Sequence, residues 1–162
     1  TLEGRFMKRV YINPEVCIGC RLCQLACQLE HSQSKDLILA INNEEPQGLL
    51  PRNTVYEEGW ITASLNCRHC DDPYCVQACI SGALRKDEES GRVVYDQEQC
   101  VGCWSCLMAC PFGAIKQHPL QEKIIKCDLC PNREIPACVS ACPNGALEYR
   151  EEEEEVSECA MQ

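Results

Sequence analysis

Sixteen of the 17 cysteines in this 162-residue chain fall into four compact groups, and no other feature constrains its fold as strongly. Each group holds four cysteines and begins with a C-x2-C pair. The groups are Cys17, Cys20, Cys23 and Cys27; Cys67, Cys70, Cys75 and Cys79; Cys100, Cys103, Cys106 and Cys110; and Cys127, Cys130, Cys138 and Cys142. A Gly-Ala dipeptide follows the last cysteine of three groups at the same distance, so the chain is built from duplicated units.

Three kinds of site use this much sulfur: disulfide frameworks, structural zinc sites and iron-sulfur clusters. A disulfide framework is disfavoured because the number of cysteines is odd and they recur as C-x2-C groups. Structural zinc would also use four cysteines per site, but zinc sites usually combine two separated pairs. The first and third groups instead have the C-x2-C-x2-C-x3-C spacing of bacterial ferredoxins. This spacing favours iron-sulfur clusters, with a zinc-stabilised interaction module as the alternative.

The apolar content predicts a core that depends on bound clusters. Hydrophobic residues make up 45% of the chain, but that figure counts the cysteines, and without them the fraction is roughly a third. Short strands are predicted ahead of the cysteine groups, at 9–12, 92–95 and 123–125, and a brief helix is predicted to leave each group. Turn-forming residues at 87–91 predict a hairpin. The expected fold class is α+β, with short hairpins and short helices.

Several motifs around the cysteines resemble those of a known family. They are Cys17-Ile-Gly-Cys20, Glu30-His31-Ser32, Ser34-Lys-Asp-Leu37, Cys67-Arg-His-Cys70, Cys103-Trp104 and Cys110-Pro-Phe-Gly-Ala-Ile115. Residues 7 to about 149 thereby resemble the four-cluster ferredoxin-type subunits of bacterial and archaeal oxidoreductases, the family of the dimethyl sulfoxide reductase iron-sulfur subunit. Within that family, the motifs are most similar to the iron-sulfur subunit associated with carbon monoxide dehydrogenase and to the small subunit of tungsten aldehyde oxidoreductases.

The resemblance implies four [4Fe-4S] clusters, with no catalytic residues and no other cofactor. In the family, the last cysteine of each group crosses to the cluster of a partner group, which pairs the first group with the fourth and the second with the third. The implied ligand sets are Cys17, Cys20, Cys23 and Cys142 for cluster 1; Cys127, Cys130, Cys138 and Cys27 for cluster 2; Cys67, Cys70, Cys75 and Cys110 for cluster 3; and Cys100, Cys103, Cys106 and Cys79 for cluster 4. The implied architecture is two interleaved bacterial ferredoxin-like halves with a cluster-dominated core.

The expected domain boundaries follow the same pairing. One half comprises residues 7–31 with 119–150 and the other comprises 62–118, and the cysteine-free segment 32–61 is an insertion. Residues 1–6 precede a plausible start at Met7 and are interpreted as a remnant outside the fold, whereas 151–162 are expected to form a solvated acidic tail. Cys159 lies in that tail and is expected to be a free thiol without a role.

The resemblance implies an electron-transfer subunit rather than an enzyme. It would relay single electrons between a metal-containing catalytic subunit and a second redox partner. The catalytic subunit would be a tungsten or molybdenum aldehyde or formate oxidoreductase, or a nickel carbon monoxide dehydrogenase. The second partner would be a flavin/NAD reductase or a hydrogenase. A free, diffusible polyferredoxin is an alternative, and redox sites at both ends would also permit end-to-end self-association.

Charge and hydropathy bear on partners and location. The net charge is −10 and comes mostly from the C-terminal glutamates, which argues against a nucleic-acid partner. The longest purely hydrophobic run, 37–41, is too short to cross a bilayer, and no leader is recognised, so a cytoplasmic protein without a membrane anchor is expected. Lys116, Lys123 and Lys126 are interpreted as a solvated surface or, alternatively, a docking patch. His69 either faces outward or places positive charge near a cluster.

Overall fold

The computed structural model describes residues 7–151 and contains four two-stranded antiparallel sheets. The strands are β1 (Lys8–Ile12), β2 (Thr54–Glu58), β3 (Ile61–Leu65), β4 (Leu84–Lys86), β5 (Val93–Tyr95), β6 (Ile115–Gln117), β7 (Ile124–Lys126) and β8 (Leu147–Glu151). β2–β3, β4–β5 and β6–β7 are hairpins, whereas β1 pairs with the distant β8. The remnant predicted at 1–6, residues 152–162 of the predicted tail and Cys159 lie outside the described residues.

The helices are short, and four of them carry cysteines. They are α1 (Leu22–His31), α2 (Leu37–Leu39), α3 (Tyr74–Gln77), α4 (Ser105–Ala109) and α5 (Ala137–Ser140), with a π-helical turn at Ala40–Glu44 and a 3-10 turn at Glu45–Gln47 after α2. One helix starts inside each cysteine group, so the group wraps from a loop onto a helical turn. α1 packs against α5 and α3 packs against α4, which brings together the first and fourth groups and the second and third.

Two apolar cores hold these elements, and thiols belong to both. The first core contains Val10, Leu129, Leu147, Cys23, Cys67, Cys127 and Cys138. The second contains Leu84, Val93, Ile115, Ile124 and Cys106. Val10 and Leu147 come from β1 and β8, in which Val10 is paired with Tyr149 and Ile12 with Leu147. The pairing of β1 with β8 therefore closes the first core around cysteines from three of the four groups.

The α+β class and the hairpin predicted around residues 87–91 are confirmed, since β4 and β5 pair antiparallel across that turn. The segment 32–61, which was predicted only as an insertion, contains structure of its own. Its last strand, β2, pairs with β3, so this hairpin crosses the boundary expected between residues 61 and 62. The hairpin β6–β7 likewise crosses the boundary expected between 118 and 119. Within residues 7–151, no helix has the length and apolar character that a bilayer crossing requires.

Candidate metal centres

The first candidate centre is a small cavity near the surface, lined by Cys17, Cys20, Cys23 and Cys142. Cys20 is exposed to solvent. Thr62 of β3 donates its hydroxyl to the carbonyl of Cys17 at 2.6 Å, which fixes the loop against the hairpin β2–β3. The Sγ of Cys142 accepts a hydrogen bond from the backbone N–H of Ala146 at 3.2 Å. One sequence group thus shares a cavity with a cysteine that lies more than a hundred residues further along the sequence.

A second small cavity is also lined by three cysteines of one group and the last cysteine of another: Cys100, Cys103 and Cys106 with Cys79. Cys103 is exposed, as Cys20 is in the first cavity. Burial, followed by the negative charge of Cys79, raises the pKa of the Cys106 thiol to about 11. Gly102, with φ +68°, allows this loop to pass against the segment before β7, because a Cβ there would lie 2.6 Å from the carbonyl oxygen of Glu122.

The third candidate centre is the most deeply buried and combines Cys27, Cys127, Cys130 and Cys138, each less than 9% exposed. Burial, followed by the charge of Cys27, raises the pKa of Cys138 to about 12, and burial is also the main cause that raises the pKa of Cys127. Donors reach three of these sulfur atoms from different parts of the chain. They are the backbone N–H of Arg52 to Cys27 at 3.3 Å, the backbone N–H of Leu129 to Cys127 at 3.5 Å and the amide Nδ2 of Asn66 to Cys138 at 3.5 Å.

The fourth candidate centre combines Cys67, Cys70, Cys75 and Cys110. Burial raises the pKa of both Cys70 and Cys75, and negative charge on Cys67 and Cys110 raises the two values further. The backbone N–H of His69 donates to the Sγ of Cys67 at 3.4 Å. Cys110, the last cysteine of its group, therefore acts on the thiols of a different group, as Cys27 does in the buried centre.

The chemistry of these donor sets fits iron-sulfur clusters. Four soft thiolate ligands per centre suit iron or zinc, and hydrogen bonds from backbone N–H groups to ligand sulfur are a recurrent second layer around such clusters. Several of the thiols have raised pKa values because they are crowded and buried, and a bound cation would remove the cost of deprotonating them. The Nε2 of His69 is fully buried and has no hydrogen-bond partner among residues 7–151, so it is available to bond to a bound group.

The contacts between centres define an order. Cys23 and Cys67 pack in the first core together with Cys127 and Cys138, which places the buried centre next to the first and the fourth centre. Cys75, Cys79, Cys106 and Cys110 all pack in or against the second core, which connects the remaining two centres. The exposed Cys20 and Cys103 belong to the first and last centres of this series. Next to them, Ile18 is 62% exposed and Val101 is 60% exposed.

Lysine side chains donate hydrogen bonds to backbone carbonyls in three of the cysteine loops, a feature that was not predicted from the sequence. Lys86 donates to the carbonyls of His69 and Cys70, Lys123 to those of Gln97 and Cys100, and Lys126 to those of Val93 and Cys127. Lys116 donates to the carbonyls of Pro51 and Asn53. The interpretation of Lys116, Lys123 and Lys126 as a shared solvated surface or docking patch is wrong, because their ammonium groups point inward to satisfy backbone carbonyls.

A polar network lies beside the buried centre. His31 approaches the carbonyl oxygen of Cys27 at 2.7 Å through Nδ1 and a carboxylate oxygen of Asp128 at 3.1 Å through Nε2. Burial alone would lower the pKa of His31, but its hydrogen bonds with Asp128 and Cys27 raise the pKa to about 9. Arg52 pairs with Asp128 at 2.6 Å. His31, Asp128 and Cys130 have ligand atoms within 4.8 Å of one another, but Cys130 belongs to the four-thiol centre already described.

Comparisons with known proteins identify 4Fe-4S families and iron-sulfur relatives. Residues 58–153 match the family described as 4Fe-4S dicluster domain, and residues 8–29 match a 4Fe-4S binding domain. The chain is 37% identical to an iron-sulfur protein of Rhodospirillum rubrum, over 78% of this chain and 63% of that protein. It is 38% identical to the putative electron transport protein YsaA of Escherichia coli, over 73% of both proteins.

Two further similarities concern proteins that are named as parts of catalytic complexes. The chain is 34% identical to the B subunit of the anaerobic dimethyl sulfoxide reductase of Escherichia coli, over 76% of this chain and 61% of that subunit. The chain thus spans less than two thirds of this relative and of the Rhodospirillum rubrum protein. A solved active site complex BamBC of benzoyl coenzyme A reductase, in complex with 1,5 dienoyl-CoA, contains a similar polypeptide. Its TM-score is 0.51 and its identity 25%, covering 98% of this chain and 84% of that one.

Proposed function

The chain belongs to the 4Fe-4S dicluster domain family, and from this membership we propose that it is an electron-transfer subunit with four [4Fe-4S] clusters, placed between a catalytic subunit and a second redox partner. When bound, such clusters supply reversible one-electron transfer. The observation that carries the proposal is that the last cysteine of one group lies with three cysteines of another in two small cavities: Cys142 with Cys17, Cys20 and Cys23, and Cys79 with Cys100, Cys103 and Cys106.

The proposed ligand sets are those implied by the family. They are Cys17, Cys20, Cys23 and Cys142 for cluster 1; Cys127, Cys130, Cys138 and Cys27 for cluster 2; Cys67, Cys70, Cys75 and Cys110 for cluster 3; and Cys100, Cys103, Cys106 and Cys79 for cluster 4. Two shared cavities support the first and last sets. Charge interactions among buried thiols support the middle two. This crossed arrangement, with α1 against α5 and α3 against α4, supports the division into two interleaved halves.

The protein's own residues would shield the two interior clusters from solvent and leave the other two accessible. Cys127 and Cys67 lie in the first core, where solvent is excluded from the two interior sites. Cys20 and Cys103 are exposed, which leaves clusters 1 and 4 accessible to partners. A subunit with an accessible site at each end and shielded sites between them is suited to connect two redox proteins. All sixteen grouped cysteines are used as ligands in this proposal, so no thiolate among them is left for chemistry on a substrate.

The proposed catalytic partner is a tungsten or molybdenum aldehyde or formate oxidoreductase, or a nickel carbon monoxide dehydrogenase. The second partner is a flavin/NAD reductase or a hydrogenase. Support comes from the names of the similar proteins, which include an electron transport protein and a subunit of dimethyl sulfoxide reductase. A free polyferredoxin is the second candidate, which the acidic net charge of the chain permits.

Anaerobic purification of the tagged protein from its native host tests the proposal. Iron, sulfide, zinc, nickel, tungsten and molybdenum are measured in the purified complex, and about sixteen irons per chain are expected from four cubane clusters. Co-purification of tungsten or molybdenum in fixed ratio would identify an aldehyde or formate oxidoreductase, and nickel would identify carbon monoxide dehydrogenase or a hydrogenase. Full iron without any partner in fixed ratio would favour the polyferredoxin. Zinc without iron would exclude electron transfer and favour the zinc-stabilised module.

A further inference from the structure

Lys126, the last residue of β7, places a charged group in the interior of the protein. The residue is only 5% exposed, although lysine is rarely buried without a charged partner. Its Nζ donates to the carbonyl oxygens of Val93 and Cys127, both at 2.7 Å. Within residues 7–151, none of the ion pairs with a carboxylate involves Lys126. Carbonyl dipoles alone compensate a buried ammonium incompletely, so a negative group must lie nearby when the protein is complete.

Val93 links His69 to Lys126. Its backbone N–H donates to His69, and its carbonyl accepts a hydrogen bond from Lys126. The Nδ1 of His69 accepts this N–H at 3.0 Å, so the neutral imidazole carries its proton on Nε2. The side chain is fully buried, and its Nε2 has no partner in the described part of the chain.

Lys126 and His69 lie between the two interior metal centres. Lys126 directly precedes Cys127, and His69 lies between Cys67 and Cys70 in the sequence. Cys67 and Cys127 pack in the same core, so the two interior centres are neighbours. Val93 accepts from Lys126 through its carbonyl and donates to His69 through its N–H, so the ammonium lies close to ligands of both centres.

We propose that Lys126 is a positioning residue that raises the reduction potentials of the two interior clusters, 2 and 3, with His69 Nε2–H as an additional donor. This inference rests on the proposed function. Four thiolates give each cluster a net negative charge, and reduction adds one more. A buried ammonium, poorly screened by solvent, therefore stabilises the reduced form more than the oxidised form. The clusters would in turn supply the negative charge that the buried ammonium lacks.

The test compares reduction potentials in anaerobically purified, full-length variants by electron paramagnetic resonance at controlled potentials. In Lys126→Met, two of the four potentials are expected to fall by at least about 59 mV, which corresponds to a tenfold change in a one-electron equilibrium. The other two are expected to stay unchanged. Lys126→Arg keeps the charge and is expected to retain all four wild-type potentials.

Lys123→Met is the matched control, because Lys123 makes the same type of bond to the carbonyl of Cys100 in the loop of cluster 4. Only one potential is expected to shift in this variant. If Lys126→Met loses iron, Lys126→Gln is measured instead, because its amide can still donate to the Val93 carbonyl while carrying no charge. Either neutral variant with full iron and unchanged potentials would overturn the role of Lys126, as would an equal shift of all four. Wild-type protein without [4Fe-4S] signals would overturn the proposed function itself.

Discussion

At the scale of single residues, the grouping of the cysteines as candidate metal ligands could be predicted from the sequence, but the side chains that surround the cysteine loops could not. Ligand spacing is a local property of the chain, and it indicated four groups of cysteines, two of which share a small cavity with the last cysteine of another group in the structure. The bond from Lys123 to the carbonyl of Cys100 joins residues 23 positions apart, and that from Lys126 to Val93 joins residues 33 apart. No periodicity encodes such contacts, because they depend on how the hairpins pack.

The crossed ligand pairing gives a prediction for single cysteines. In Cys110→Ser, the lost or weakened cluster is expected to be the one held by Cys67, Cys70 and Cys75, because Cys110 acts on the thiols of that group. Thiols freed by cluster loss react with iodoacetamide, and peptide mass spectrometry identifies them. Cys106→Ser is the control, and it should free thiols of the cavity lined by Cys79, Cys100 and Cys103. Labelling of Cys100 and Cys103 in the Cys110 variant would contradict the crossed arrangement.

The close contact at Gly102 gives a second prediction. An alanine there would need a left-handed backbone, at a cost of about 1 kcal/mol, and would also push the loop away from the Glu122 carbonyl. We expect Gly102→Ala to lower the free energy of unfolding by about 3 kcal/mol in total and to reduce iron content. Gly145→Ala separates the two causes, because Gly145 has φ +63° but no atom within 4 Å of the added Cβ. Equal losses in thermal unfolding of the two variants would rule out the steric explanation.

At the scale of secondary structure, hairpins linked by short turns were easier to predict than pairings between distant segments. The turn at 87–91 predicted the hairpin β4–β5 because glycine and acidic residues separate two short runs of β-forming residues. The hairpin β2–β3 also has a glycine, Gly59, in its turn, but the segment 32–61 was interpreted only as an insertion, without strands of its own. The pairing of β1 with β8 has no local signal, since the two strands are separated by almost the whole described chain.

The hairpin β2–β3 supports the first metal centre, and Thr62 provides the test. Thr62→Val preserves the shape of the side chain but leaves the Cys17 carbonyl without its hydroxyl donor. The expected loss is about 1 kcal/mol, or a decrease in Tm of roughly 3 °C for a protein of this size. Thr54→Val is the control, because Thr54 lies on the paired strand opposite Leu65 and makes no side-chain hydrogen bond among residues 7–151. Melting curves that are identical for the two variants would show that the Thr62 bond contributes nothing.

At the scale of the whole molecule, the stability of the fold depends on what the cysteines bind. Seven of the 19 buried apolar residues within 7–151 are cysteines, so a core without bound metal retains thiols in place of larger hydrocarbon groups. Small domains whose cores are thin commonly require a metal to fold. The low apolar content of the sequence predicted this dependence, whereas the sharing of thiols between two separate cores required the three-dimensional structure.

Removal of the metal therefore has a predicted effect on the whole chain. Protein prepared without iron, or treated anaerobically with a chelator and an oxidant, is expected to lose most of its helix and strand signal in circular dichroism. Exposure to oxygen is expected to cause aggregation as the buried thiols become accessible. Holoprotein kept anaerobically in the same buffer is the control. A metal-free chain with the circular dichroism spectrum of the holoprotein would show that the apolar residues alone maintain the fold.

The pairing of β1 with β8 also determines when each part of the protein can be completed during synthesis. The proposed ligands of clusters 3 and 4 all lie within the continuous stretch 67–110, which leaves the ribosome well before residue 147 does. The first core, in contrast, needs β1 and Leu147 together, and these are separated by almost the whole described chain. On the proposed ligand sets, the clusters that depend on this core can therefore be completed only after Leu147 has been translated.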